Sequence, residues 1–256
     1  MDDDRQREKA ERFQALHGGA TFVIPNPWDA GSAKRLGELG FEALATTSYG
    51  FAETLGLDDG EASLDQLAEH TAALDAASEL PISVDIENGF GSRPEDAAAA
   101  VTRVAAAGAV GGSIEDWDRD GEFLYEAAHA IERITAAVEA ARSLDFPFTL
   151  TARAENHLRG NPDLDDTIAR LQAFERAGAD VIYAPSLDLE QVRTLRAETS
   201  APINVLATPA MTVAAVAAAG GARISVGGAL AWVGISATTA AAKRIREDDD
   251  FAALTG

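Results

Sequence analysis

The chain predicts an α/β fold, a (β/α)₈ TIM barrel. Three observations carry that prediction. Short β-rich runs alternate with helical stretches eight times within 256 residues. Helix stops recur as an apolar residue and a glycine just before such a run, at Leu39-Gly40, Ala107-Gly108, Ala177-Gly178 and Ala219-Gly220. The first strand-to-helix turn carries no Gly-x-Gly-x-x-Gly, which argues against an open dinucleotide-binding sheet.

In chain order, residues 1–20 read as a charged helical arm with a stop at Gly18-Gly19. A first strand over 22–27 ends at prolines, and a helix over 30–39 closes on Gly40. A second strand spans 43–47, followed by Ser48-Tyr49-Gly50 and a loop to Gly60. A helix over 62–80 leads to Pro81 and a third strand that runs to Glu87. Pro94 opens a helix over 94–107. Strands over 111–115, 147–153, 181–185, 202–207 and 223–226 then alternate with helices over 126–143, 164–177, 189–199, 212–219 and 229–245. No Gly/Ser linker or composition break divides the chain, so one domain is expected over 1–256, with an acidic tail over 246–256.

Composition narrows the function classes. Asp and Glu outnumber Lys and Arg 42 to 21, a net charge of −21, which repels nucleic acid and anionic membranes. The only lysines are Lys9, Lys34 and Lys243. High acidity with so little lysine is similar to proteins of salt-loving organisms. The chain has no cysteine, so disulfides, thiolate metal sites and a cysteine nucleophile or acid are excluded. No apolar run approaches a membrane span, and Met-Asp-Asp-Asp is the reverse of a basic signal-peptide start, so a soluble cytoplasmic protein is expected.

A barrel of this kind collects its chemistry where strands end. Ser83, Asp85 and Glu87 share one face of the third strand, opposite Val84 and Ile86. Glu115 ends the fourth strand and Arg153 the fifth; Tyr183, Asn204 and Ser225 are offered by the last three. Asp85, Glu87 and Glu115 come from neighbouring strands. At an effective dielectric of about 20, two like charges about 4 Å apart repel by roughly 4 kcal/mol, so three require protons or a cation. With oxygen ligands only, and neither cysteine nor a paired-histidine motif, Mg²⁺ or Mn²⁺ is the natural ion. The alternative is that Asp85 and Glu115 are ordinary rim acids paired with arginines. Arg153 suits a bidentate grip on a carboxylate, or else a salt bridge to Asp85 or Glu115. Ser48-Tyr49-Gly50 either presents backbone N–H groups to a carboxylate or is a plain turn. His17, His70 and His129 are expected on the surface.

The segments Thr47-Ser48-Tyr49-Gly50, Leu55-Gly56-Leu57-Asp58-Asp59-Gly60, Val84-Asp85-Ile86-Glu87-Asn88-Gly89-Phe90-Gly91, Ser113-Ile114-Glu115-Asp116 and Thr151-Ala152-Arg153 follow in an order and spacing that resembles the isocitrate lyase and phosphoenolpyruvate mutase superfamily, over roughly residues 20–245. The resemblance implies Mg²⁺, a substrate that is a 2-oxo acid or yields one as an enolate, and a homodimer or homotetramer in which the last helix is exchanged between subunits. It implies Asp85 as direct metal ligand, with Glu87, Glu115 and Asp59 acting directly or through water. It implies Ser48, Tyr49, Gly50 and Arg153 on the substrate carboxylate, to which Asn204 at the end of the seventh strand is added as a candidate. The lyases acting on isocitrate and methylisocitrate carry Lys-Lys-Cys-Gly-His after the fourth strand; here the region is Trp117-Asp118-Arg119-Asp120-Gly121-Glu122-Phe123. The cysteine acid is absent, which argues against those substrates by that route. The mutase's loop lysine and asparagine are also missing, and Arg119 is the one cation available to replace them as a catalytic group. The expectation is a Mg²⁺-dependent lyase acting on a C–C bond beside a 2-oxo acid carbon; the alternatives are P–C mutase or hydrolase chemistry, or a barrel that binds a dicarboxylate without turning it over.

Overall fold

Apolar and polar residues alternate along most of the longer strands, and that alternation sorts them between two environments. Val84, Ile114, Leu150, Ala152 and Ile182 face outward and are fully buried under the surrounding helices. Ser83, Thr149, Thr151, Asn204 and Ser225 alternate with them and are buried in the lumen. The structure is a computed structural model that describes residues 2–249 and 251–254. Met1 of the predicted arm, and Asp250, Thr255 and Gly256 of the predicted tail, lie outside the described residues.

The eight barrel strands are β1 (Phe22–Ile24), β2 (Leu44–Ala45), β3 (Ile82–Asp85), β4 (Gly111–Glu115), β5 (Thr149–Arg153), β6 (Val181–Tyr183), β7 (Ile203–Leu206) and β8 (Arg223–Ser225). All pair in parallel, in the order β1-β8-β7-β6-β5-β4-β3-β2. The Ala45 N–H donates to the Pro25 carbonyl at 3.1 Å and joins the two ends of that order. The fold is therefore a (β/α)₈ barrel. The helices are α1 (Asp2–Leu16), α2 (Ala30–Glu38), α3 (Ser48–Leu55), α4 (Leu64–Ala77), α5 (Pro94–Ala105), α6 (Ala127–Arg142), α7 (Leu164–Arg176), α8 (Leu189–Glu198), α9 (Val213–Ala218) and α10 (Ala229–Asp248).

Three elements differ from the sequence reading. Helix α3 replaces the loop expected after Tyr49: Thr47 caps it by accepting the Gly50 N–H, and Gly56 ends it in the left-handed region at φ 68°. A short hairpin pairs Trp117–Asp118 with Phe123–Leu124, its turn held by Asp118 Oδ1 accepting the Gly121 N–H at 2.7 Å. Helix α4 starts at Leu64, because Ser63 and Gln66 form a capping box there, and ends at Ala77 rather than 80.

Helix α1 is more than a charged arm. Ala10 and Phe13 are fully buried with Phe22, Ile24, Ala43 and Val110, and form a stopper at the N-terminal end of the barrel. Gly111 is glycine because a Cβ there would lie 2.8 Å from the Phe13 ring. Lys9, 3% exposed, pairs with Asp75 at 2.7 Å and anchors α1 to α4. Of the histidines expected on the surface, His70 is buried and His17 is half-buried. His70 stacks on Phe51 with ring centroids 4.1 Å apart, and burial pushes its pKa down to about 4. His17 lies between Phe13 and Phe22, edge-on to both. Among the described residues no helix is long and apolar enough to cross a membrane.

Candidate active site

Asp85, Glu115 and Arg153 are the last residues of β3, β4 and β5. Parallel register sets Asp85 beside Ser113 and Glu115 beside Arg153, and Arg153 beside Tyr183. Neighbouring strands thus deliver these side chains to one rim of the lumen. The rim opens on a cavity of ≈ 70 Å³ lined by Thr46, Asp85, Arg153, Tyr183, Asn204 and Arg223, among others.

The charges at that rim form one connected network. Arg153 reaches Glu115 Oε2 through Nη2, Glu155 Oε1 through Nε at 2.5 Å, and Asp85 Oδ2 through Nη1 at 3.5 Å. Of the two roles left open for Arg153 by the sequence, the salt bridge is the one formed in this structure. Arg159 pairs with Glu155 at 3.1 Å, lies 3.8 Å from Glu115 Oε1, and stacks over Trp117. Arg119 reaches back from the hairpin to Glu87 Oε2 at 2.5 Å and also feels Asp59 and Glu115. Its guanidinium lies where a Cβ of Gly60 would stand, at φ +93°, so Gly60 makes room for it. Asp59 is exposed in the loop beside that contact.

Glu87 does not arrive by strand parity. The strand ends at Asp85, and Glu87, Gly89 and Phe90 adopt φ values of 50°, 83° and 60°. This bend swings Glu87 over the rim, where it is 6% exposed. Arg133, 1% exposed on α6, holds the bend by donating to the Asn88 carbonyl and, at 3.1 Å, to the Arg93 carbonyl. The Tyr125 ring covers its guanidinium at 4.6 Å. Burial pushes the Glu87 carboxyl up to about 7, with Arg119 opposing. Burial likewise pushes Glu115 well above the usual carboxylate range, and Arg153 only partly offsets it.

Five carboxylates (Asp59, Asp85, Glu87, Glu115, Glu155) share three guanidiniums (Arg119, Arg153, Arg159), so acids outnumber their cationic partners, and the upward shifts of Glu87 and Glu115 answer that crowding by favouring protonation. Glu115 Oε1 is buried with no hydrogen-bond partner. Among the described residues no group of three His, Asp or Glu side chains is set as a ready metal cage, because Arg119 and Arg153 stand among the acids. The donor set is still one that a hard divalent cation fits: oxygen only, rich in carboxyl groups, with one buried oxygen unsatisfied.

Of the remaining candidates, Asn204 lines the same cavity, while Ser48, Tyr49 and Gly50 follow Thr47, which lines it. Ser48, Tyr49 and Gly50 form the first turn of α3, whose N–H groups lack intrahelical partners. Thr47 already takes the Gly50 N–H at 3.3 Å, and the Tyr49 ring packs toward Gly228 and Trp232. Asn204, 2% exposed, donates to Ser225 Oγ at 3.0 Å and accepts from Arg223 at 2.8 Å. Glu155, Arg159 and Arg223 were missing from the sequence-derived set. For Arg223 the signal was present: it shares a strand face with Ser225, but it starts the strand rather than ending it. Asp116 takes no part in the rim. It accepts the Glu155 N–H at 2.8 Å and pairs with buried Arg170 at 3.1 Å.

A family model described as phosphoenolpyruvate phosphomutase matches residues 13–246 of this chain. An uncharacterized protein of Mycobacterium tuberculosis (strain ATCC 25618 / H37Rv) is 31% identical over 237 residues, 92% of this chain and 88% of its own. Oxaloacetate decarboxylase 2 of Pseudomonas fluorescens (strain Pf0-1) is 29% identical over 245 residues, 91% of this chain and 82% of its own. Among solved structures, a protein of Burkholderia cenocepacia J2315 described provisionally as a lyase/mutase is 48% identical, with a TM-score of 0.95 over 99% of this chain and 93% of its own.

Replacing Arg170 by Met leaves the Asp116 carboxylate buried and unpaired. The expected loss of stability is about 3–5 kcal/mol, read from urea unfolding at neutral pH. A loss within experimental error would remove the pair from its role in holding the start of the Glu155 segment.

Proposed function

Because this chain belongs to the isocitrate lyase and phosphoenolpyruvate mutase superfamily and is an enzyme of that lyase/mutase kind, we propose that it is a Mg²⁺-dependent lyase. Its reaction is cleavage or formation of a C–C bond beside the carbonyl carbon of a 2-oxo acid. Its substrate is a small malate-like or oxaloacetate-like acid in the cytoplasm. The observation that carries this reading is the crowding of Asp85, Glu87 and Glu115 at the rim of a cavity of ≈ 70 Å³, where burial holds Glu87 and Glu115 above the ordinary carboxylate range and Glu115 Oε1 is left unsatisfied.

Mg²⁺ (or Mn²⁺) bound there would polarise the 2-oxo group and stabilise the negative charge that develops as the C–C bond breaks. Asp85, half-buried on the cavity wall, would supply the direct ligand oxygen, with Glu87, Glu115 and Asp59 acting directly or through water. The first turn of α3 directs the Ser48 and Tyr49 N–H groups at one end of a carboxylate, where a helix N-terminus favours negative charge. Arg153 approaches from the facing strand, and its acidic partners hold the guanidinium plane in place. Asn204 adds an amide on the far wall. Arg119, carried by the hairpin, is the cation placed to meet the leaving fragment. The activity for which the Pseudomonas relative is named, oxaloacetate decarboxylation, supports a short 2-oxo diacid as the substrate type.

The chain also acts as an oligomer, a homodimer or homotetramer built through α10. Ala231 is the one buried residue of that helix, while Trp232 and Val233 are 60% and 63% exposed. An apolar helix face of this kind is normally covered by a partner. Light scattering is expected to give a dimer or tetramer mass, falling in a Trp232→Asp/Val233→Asp variant; a monomeric wild type would overturn this assignment.

Two further measurements test the enzyme. Purified protein with Mg²⁺, offered a panel of substituted malates and oxaloacetate, is expected to release pyruvate, glyoxylate or oxalate. Ligand-induced thermal stabilisation without product from any member would identify a binding barrel instead. Calorimetric Mg²⁺ affinity is expected to fall at least tenfold in Asp85→Ala; unchanged affinity would take Asp85 out of the metal site.

A further inference from the structure

One cation in the lumen has no counter-charge. Arg223 opens β8, is 4% exposed, and lines the same cavity as Asp85 and Arg153. Its hydrogen bonds go to neutral groups: Nε to Asn204 Oδ1 at 2.8 Å, Nη2 to Thr151 Oγ1 at 2.9 Å, and Nη1 to His17 Nε2 at 3.3 Å. His17 Nδ1 donates to the Phe13 carbonyl at 2.9 Å, so Nε2 is the acceptor and the imidazole is neutral. Among the described residues no carboxylate pairs with Arg223, and Tyr183 is the one group that favours its charge.

The contrast with Arg153 is large. Arg153 spends its nitrogens on Asp85, Glu115 and Glu155. Arg223 spends three of its five N–H donors on neutral acceptors, which leaves one on each terminal nitrogen. Those two donors remain available to an anion, and a guanidinium suits a carboxylate. A buried charge with no partner costs several kcal/mol, a cost that a bound anion removes. The cavity of ≈ 70 Å³ has room for ordered water or for one small carboxylate in its place.

We propose that Arg223, with Asn204 and Thr151 beside it, forms a second anion subsite at the floor of the cavity that takes a carboxylate of a small dianionic acid. The subsite selects diacids over monoacids, because a monoacid held at the rim leaves Arg223 uncompensated. Only the identification of that anion with a substrate's second carboxylate rests on the lyase reading. Anion binding itself needs neither metal nor turnover.

The test is thermal stabilisation by oxalate, in chloride-free buffer with EDTA, for wild type, Arg223→Met and Asn204→Asp. Asn204→Asp keeps the side-chain size and places a carboxylate beside Arg223 as an internal counter-ion. Oxalate is expected to raise the wild-type Tm, chloride at equal ionic strength to do so far less, and both variants to need at least tenfold more oxalate for the same shift. An equal shift in both variants, no shift in wild type, or an equal shift with chloride would overturn the subsite. Absent turnover with the subsite intact would sink the lyase reading alone; turnover with unaltered oxalate binding in the variants would sink the subsite alone.

Discussion

Like charges crowded at the end of a low-dielectric barrel impose the main constraint on this molecule. Carboxylates from β3, β4 and the segments after β3 and β5 gather within reach of each other, and the fold must neutralise them locally. It does so with arginines drawn from three places: Arg153 from a strand, Arg159 from the segment beyond it, and Arg119 from a hairpin. The neutralisation is incomplete, since Glu115 Oε1 stays buried without a hydrogen-bond partner. Arg119 joins the hairpin to the Glu87 bend and to Gly60, so the loops over the site are set by the same electrostatics.

The two faces of the sheet divide the labour. Outward residues such as Val84, Ile114 and Leu150 pack against helices and supply the apolar burial that stabilises the barrel. Many inward residues are small or polar, with Gly111, Ser113, Thr151 and Ser225 leaving room for the longer Arg153, Tyr183 and Arg223. A lumen lined this way gives up packing and gains room and hydrogen-bonding partners. Part of the loss is recovered at the base by Phe13 and its neighbours.

The barrel itself could be read from periodicity and glycine stops, and β4 falls where the alternation places it. Asp85, Glu115 and Arg153 were legible because each ends a strand, and strand ends are where parity and topology agree. What escaped had other causes. Helix α3 hid behind a glycine in its first turn, although Thr47 and Gly56 were valid start and stop signals. Glu87 was given the right neighbourhood for the wrong reason, since a left-handed bend and not the strand brings it to the rim. Arg223 was passed over because position at the strand start hides how far a long side chain reaches. His17 and His70 looked like surface residues on polar segments, and only tertiary packing reveals their aromatic neighbours.

The stopper made by α1 has one more effect. With Phe13 seated in the base, traffic through the lumen has a single doorway. Whatever enters head-first must back out, and when a molecule is split inside, the outer fragment departs before the inner one. Depth along the barrel axis thereby becomes a queue.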